Sequence, residues 1–128
     1  MARRPQDVTE AELEVLRVLW ERGPATIRVL ADRIYPRGGA SEYATVQKLL
    51  ERLEDKGHVS HRAEGRLNVY TARVGREDLV ARRLRMTAEQ LCDGSLTPLL
   101  THLVSAGRLT PGELRELRRM VDRLSRER

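Results

Sequence analysis

The stretch SEYATVQKLLERLEDKG (residues 41–57), followed at once by HVSHRAEGRLNVYTA (58–72), decides the fold. Val46, Leu49, Leu50 and Leu53 recur at helical spacing and form one apolar stripe. This predicts a helix over 42–56, capped by Ser41 and stopped by a left-handed Gly57. Outside the stripe lie Ala44, Thr45, Gln47, Lys48, Glu51, Arg52 and Asp55. After Gly57 the period changes. Val59-Ser60-His61-Arg62 and Leu67-Asn68-Val69-Tyr70-Thr71 are β-prone runs flanking Ala63-Glu64-Gly65-Arg66, which is the pattern of a hairpin.

Two helices precede this unit. Thr9-Glu10-Ala11-Glu12 reads as a capping box, with Val8 and Leu13 placed for a hydrophobic staple. Leu13, Leu16, Leu19 and Trp20 continue a helix over 10–22 until Gly23-Pro24. Thr26 caps a second helix over 27–35, with Ile27, Leu30, Ala31 and Ile34 inward, ended by Pro36-Arg37-Gly38-Gly39. From Gly75 onward the pattern is helical. A helix over 76–91 carries Leu79, Val80, Leu84 and Leu91. A second runs from the cap Ser95 to Ala106 with Leu96, Leu99, Leu100, Leu103 and Val104. The third opens at the capping box Thr110-Pro111-Gly112-Glu113 and carries Leu114, Leu117, Val121 and Leu124 at the spacing of a narrow seam. The expected class is mainly α with a small β-hairpin. A winged helix-turn-helix over 1–74 would precede a helical dimerisation region over 75–128.

Composition agrees with a small helical protein. Aromatics are 3% of 128 residues, so the core must come from aliphatic side chains. Charged residues make up 34% and the net charge is +5, which favours an anionic partner. Residues 1–74 hold thirteen basic and eleven acidic groups, residues 75–128 eleven and eight, so the excess is spread and marks no face. Cys92 is the single cysteine, which excludes an intrachain disulfide and a cysteine-rich metal site. It reads as a small buried hydrophobe, with a redox sensor as the alternative. His58, His61 and His102 lack helical ligand spacing, and no carboxylate or thiol completes a metal set. No phosphate-binding glycine loop or nucleophile elbow is present, so neither enzyme nor cofactor is expected. The N-terminus has no apolar stretch, and no run approaches a membrane span. A cytoplasmic protein without membrane insertion is expected.

Helix-helix-helix-hairpin is the winged-helix plan, and it gives the exposed residues a reading. The glycine-containing turn before residue 41 lets the second and third helices cross steeply, projecting the third into a major groove. Acidic Glu51, Glu54 and Asp55 would be repelled by phosphate, so the N-terminal half should enter. Ser41, Tyr43, Ala44, Thr45, Gln47, Lys48 and Arg52 are the candidate contacts on this helix. Gln47 and Thr45 suit base edges, whereas Tyr43 and Lys48 suit backbone or edge contacts. Arg62 and Arg66 on the hairpin suit phosphate or minor groove, and Arg28 adds a backbone contact from the second helix. Arg3 and Arg4 are either a backbone-binding arm or a disordered start. Arg82, Arg83 and Arg85 read as a solvated face. Three helices in residues 75–128 are too few to bury their own apolar stripes. Leu84, Leu91, Leu99, Leu103, Leu114, Leu117, Val121 and Leu124 are therefore the candidate dimer interface, with an intrachain core as the alternative for the last helix. The function read from these features is DNA binding through the third helix and the hairpin. The alternative is a winged-helix protein-interaction module without DNA binding.

The residues also carry a resemblance. Thr9-Glu10-Ala11-Glu12-Leu13-Glu14-Val15-Leu16 with Leu19-Trp20, then Tyr43-Ala44-Thr45-Val46-Gln47-Lys48-Leu49-Leu50-Glu51-Arg52-Leu53 with Lys56-Gly57, and Gly112-Glu113-Leu114 are similar to the penicillinase-repressor (BlaI/MecI) family. The likeness runs from about residue 7 to 126. It implies a homodimer on an inverted-repeat operator of double-stranded DNA, held together by the C-terminal helices. It also implies a membrane sensor protease as an indirect partner, because members are often inactivated by proteolysis within the middle C-terminal helix. The equivalent bond here is His102–Leu103, where the Asn-Phe pair cut in some members is absent. Copper-responsive relatives end in paired cysteines; this chain ends Asp122-Arg123-Leu124-Ser125-Arg126-Glu127-Arg128, so copper sensing is not implied.

Overall fold

A computed structural model describes residues 7–127. Arg3 and Arg4 lie outside the described residues. The elements are α1 (Glu10–Arg22), α2 (Ile27–Ile34), α3 (Ala40–Asp55), β1 (Val59–Glu64), β2 (Leu67–Ala72), α4 (Arg76–Leu91), α5 (Thr97–Ser105) and α6 (Pro111–Arg126). They divide into two compact units, Met1–Leu79 and Val80–Arg128, with the boundary inside α4.

In the first unit each helix begins where its sequence supplies an acceptor for orphan amides. Thr9 Oγ1 accepts from Glu12 N at 3.1 Å, and Glu12 Oε1 accepts from Thr9 N at 2.9 Å, which closes the capping box of α1. Thr26 Oγ1 accepts from Val29 N at 3.2 Å and starts α2. The three helices pack on one another around Val15, Leu16, Leu19, Leu30, Val46, Leu50 and Leu53. Burial of each such side chain contributes about 1.5–3 kcal/mol. The apolar stripe of α3 is therefore its inner face, and its other side faces outward.

β1 and β2 pair antiparallel from Val59↔Ala72 to Glu64↔Leu67. The strands extend further than the sequence pattern indicates. Ala63 and Glu64 belong to β1, and the turn is the two residues Gly65-Arg66 alone. Gly65 takes φ +62°. A left-handed first position filled by glycine is what a tight hairpin with native strand twist requires. The base of the hairpin is fixed from two sides. Val59 and Tyr70 enter the core. Ala25 forms an antiparallel bridge to Tyr70, through Ala25 N to Tyr70 O at 3.0 Å and Tyr70 N to Ala25 O at 2.8 Å. The tip, Glu64 to Leu67, is exposed.

The second unit consists of the rest of α4 with α5 and α6. Gly94 N donates to Ala88 O at 2.8 Å and closes the end of α4, with Asp93 left-handed at φ 51°. The expected cap Ser95 is not the cap of α5. The helix starts at Thr97 after Leu96, and Ser95 Oγ accepts from Thr97 N at 3.3 Å. Pro98 in the first turn sets that start, since it has no amide to satisfy. α6 opens on the full capping box, Thr110 Oγ1 from Glu113 N at 3.1 Å and Glu113 Oε1 from Thr110 N at 2.9 Å. The apolar side chains of this unit are mostly exposed. Ala88 is buried, yet Leu91 is 78% exposed and Leu124 60%.

Candidate nucleic-acid interface

α3 carries the candidate reading face, and its start differs from the expectation. Ser41 is not the cap: the helix begins at Ala40 with Gly39 before it. The reason is Glu42, whose Oε1 accepts from Gly39 N at 2.7 Å and so pulls the first turn two residues forward. Ser41 thereby lies within the first turn, exposed, and its carbonyl accepts from Thr45 Oγ1 at 3.0 Å. With that hydroxyl's proton engaged inside the helix, Thr45 offers a partner its methyl and the acceptor side of its oxygen.

Ala44, Thr45, Gln47, Lys48 and Arg52 are exposed, and Tyr43 is half-buried against the core. Lys48, Arg52 and Arg66 form no ion pair among the described residues. Arg28 of α2 lies over the Tyr43 ring, 5.6 Å from its centroid, which ties these two side chains into one patch. On the hairpin Arg62 meets Glu64 at 3.0 Å, but both are exposed. Such a surface pair is weak, so phosphate can compete for the guanidinium.

The C-terminal half of α3 faces other duties. Glu54 Oε2 meets His61 Nδ1 at 2.6 Å, and the His61 ring lies 5.2 Å from that of Tyr70. Burial, with Glu54 and then Glu51 nearby, pushes the Tyr70 hydroxyl above its usual range. At the end of the helix Lys56 Nζ donates to Glu12 Oε1 at 2.7 Å and to the Asp7 carbonyl at 2.8 Å. Burial acts to raise the pKa of Glu12. The Lys56 hydrogen bond, the Thr9 amide and the Lys56 charge together outweigh it and hold the carboxyl below its usual value. Glu12 thus fixes the start of α1 to the end of α3.

Several of these positioning residues escape sequence reading. Glu12 is legible as a capping residue, but its ion pair spans 44 positions. The Trp20 Nε1 bond to Val74 O, 2.9 Å, spans 54. No periodic signal encodes either. The His61–Glu54 contact had a signal of sorts: a histidine two residues into a strand that directly follows an acidic helix end.

The candidate dimer residues lie in the α4–α6 region. Leu84, Leu91, Leu103, Leu114, Val121 and Leu124 are exposed, while Leu99 and Leu117 are half-buried. No helix among the described residues is long and apolar enough to cross a membrane.

Comparison with known proteins adds the family. A relative in Bacillus licheniformis, "Penicillinase repressor", is 26% identical over 122 residues, covering 95% of this chain and 94% of that protein. "Methicillin resistance regulatory protein MecI" of Staphylococcus aureus (strain N315) is 21% identical over 123 residues, covering 96% and 99%. Among solved structures, the solution structure of the DNA binding domain of the repressor BlaI is 28% identical and covers 60% of this chain and 93% of that one, with a TM-score of 0.48. The sequence model of the penicillinase repressor family matches residues 8–123, from the cap of α1 into the last turns of α6. This chain belongs to the penicillinase repressor family.

Proposed function

We propose that this protein is a transcriptional repressor that binds an inverted-repeat operator as a homodimer. The observation that carries the proposal is the division of α3. Its first half, Ser41 to Lys48, presents small and polar side chains and Lys48 outward with no ion pair among the described residues, while Glu54 in the second half is engaged with His61 of the hairpin and the C-cap Lys56 with Glu12 of α1. Family membership supports the same reading.

In this reading residues 1–74 bind DNA. Tyr43, Ala44, Thr45 and Gln47 meet base edges, Gln47 suiting adenine and the Thr45 methyl suiting thymine. Lys48, Arg52, Arg62 and Arg66 neutralise phosphates, with Ser41 and Arg28 adding backbone contacts. Residues 75–128 dimerise through Leu84, Leu91, Leu99, Leu103, Leu114, Leu117, Val121 and Leu124. A two-fold dimer sets its recognition helices roughly 34 Å apart, one turn of DNA. Covering a promoter represses it. His102 and Leu103, the bond equivalent to the one cut in some relatives, occupy exposed positions of α5, and a cut there would sever α6 from α4.

The test is fluorescence anisotropy of the protein against its own upstream DNA and a scrambled duplex at two salt concentrations. Five phosphate-binding cations per protomer, Arg28 included, hence ten per dimer, give a log–log salt slope of about −9. Selective, salt-sensitive binding at two chains per site is the expected result. Equal weak binding to both duplexes would overturn the proposal in favour of a protein-interaction module.

A further inference from the structure

The corner between α2 and α3 encloses a concavity of about 320 Å³. That lies within the size of sites for small organic ligands. Tyr35 and Tyr43 are its half-buried aromatic walls, both packed against the core. The corner is tightly built. A Cβ on Gly38 would come within 2.6 Å of Glu42 Cγ and 2.9 Å of Tyr35 Cβ, so the chain turns there with no room to spare. Glu42 is spent on the Gly39 amide. The remaining charges on the rim are Arg28 and Asp32, one helical turn apart on α2, and neither forms an ion pair among the described residues.

We propose that this concavity is an effector site for a small aromatic acid that also carries a hydrogen-bond donor, and that its occupation excludes DNA. The ring lies between the tyrosines. The acid pairs with the Arg28 guanidinium, which already lies over the Tyr43 ring at 5.6 Å from its centroid, and the donor meets the Asp32 carboxylate. Exclusion of DNA follows because Arg28 and Tyr43 serve both ligands; this half of the inference rests on the DNA-binding reading above. Two ligands that compete for one surface weaken each other reciprocally. At ten times its own dissociation constant, such an effector raises the apparent Kd for DNA about elevenfold.

The experiment uses the full-length chain and 4-aminobenzoate as probe, with benzoate as the analogue lacking the donor. Amide shifts are followed by two-dimensional NMR, and operator binding by anisotropy. The expected result is shift changes confined to residues 28–43 and displacement of DNA. Asp32→Asn should weaken 4-aminobenzoate while leaving benzoate and DNA binding as they were. Tyr35→Leu should weaken both small molecules and spare DNA. Absence of shifts at the corner with either compound at millimolar concentration overturns the site. Corner shifts without any loss of operator affinity overturn the shared surface. A protein that binds no operator even without probe sinks the repressor reading, and the NMR arm still decides the pocket.

Discussion

Lys56→Met removes the counter-charge of a carboxylate with no access to water. Glu12 is fully buried, and its Oε1 holds Lys56 Nζ at 2.7 Å. At that distance and an effective dielectric near 20, the gross attraction is about 6 kcal/mol. Its loss is capped, because the orphaned carboxyl can take up a proton. From a reference value of 4.5, protonation at pH 7 costs about 3.4 kcal/mol at 1.36 kcal/mol per unit. The expected destabilisation is therefore about 3 kcal/mol at pH 7, at the low end for a broken buried pair. The pH dependence identifies the cause. In the parent protein Glu12 sits below its unfolded pKa, so its contribution is complete above 4.5 and is lost as pH falls through the folded value. In the variant burial dominates, the folded pKa lies above 4.5, and acid stabilises. The gap between the two should narrow to about 1 kcal/mol at pH 5. The assay is urea unfolding at fixed protein concentration, followed by the fluorescence of Trp20, the single tryptophan and a residue of the first unit. A penalty equal at both pH values, or below about 1 kcal/mol at pH 7, would refute the reasoning. Glu12→Gln in the Lys56→Met background should recover part of the loss.

Other expectations concern the surfaces. Lys48→Ala should weaken binding to all DNA sequences alike and flatten the dimer's salt slope by about two, since each protomer loses one phosphate contact. Gln47→Ala should instead change the preferred operator, at a cost of about 1–3 kcal/mol per half-site of the parent operator in competition anisotropy. Leu117→Asp combined with Leu124→Asp should give monomers in analytical ultracentrifugation, with poor DNA binding; an unchanged dimer would sink the proposed interface. Gly38→Ala should cost about 1–3 kcal/mol in thermal unfolding, because its methyl meets Glu42 and Tyr35. Gly39→Ala, whose Cβ would meet nothing within 4 Å, should change stability far less.

Local chemistry made much of this protein readable from its residues. The capping boxes at Thr9–Glu12 and Thr110–Glu113 form as their spacing demands, since both partners lie within one turn. The inward set Val46, Leu49, Leu50 and Leu53 is the buried set of α3, because a helix has one period and one face meets the core. Ser41 shows where local reading fails. The helix starts two residues before the position Ser41 would set, because Glu42 reaches back to the Gly39 amide. The tertiary structure alone decided which charges are spent. Lys56 looks like any exposed helix-end lysine until α1 places Glu12 beneath it. Tyr70 becomes the root of the hairpin because Ala25, 45 residues earlier, bridges to it. The α2–α3 corner gathers Arg28, Asp32, Tyr35 and Tyr43 only once the two helices cross. Helix period and capping act over three or four residues and are written in order along the chain. Pairings between distant segments depend on how helices dock, and a linear pattern of residue types does not encode that.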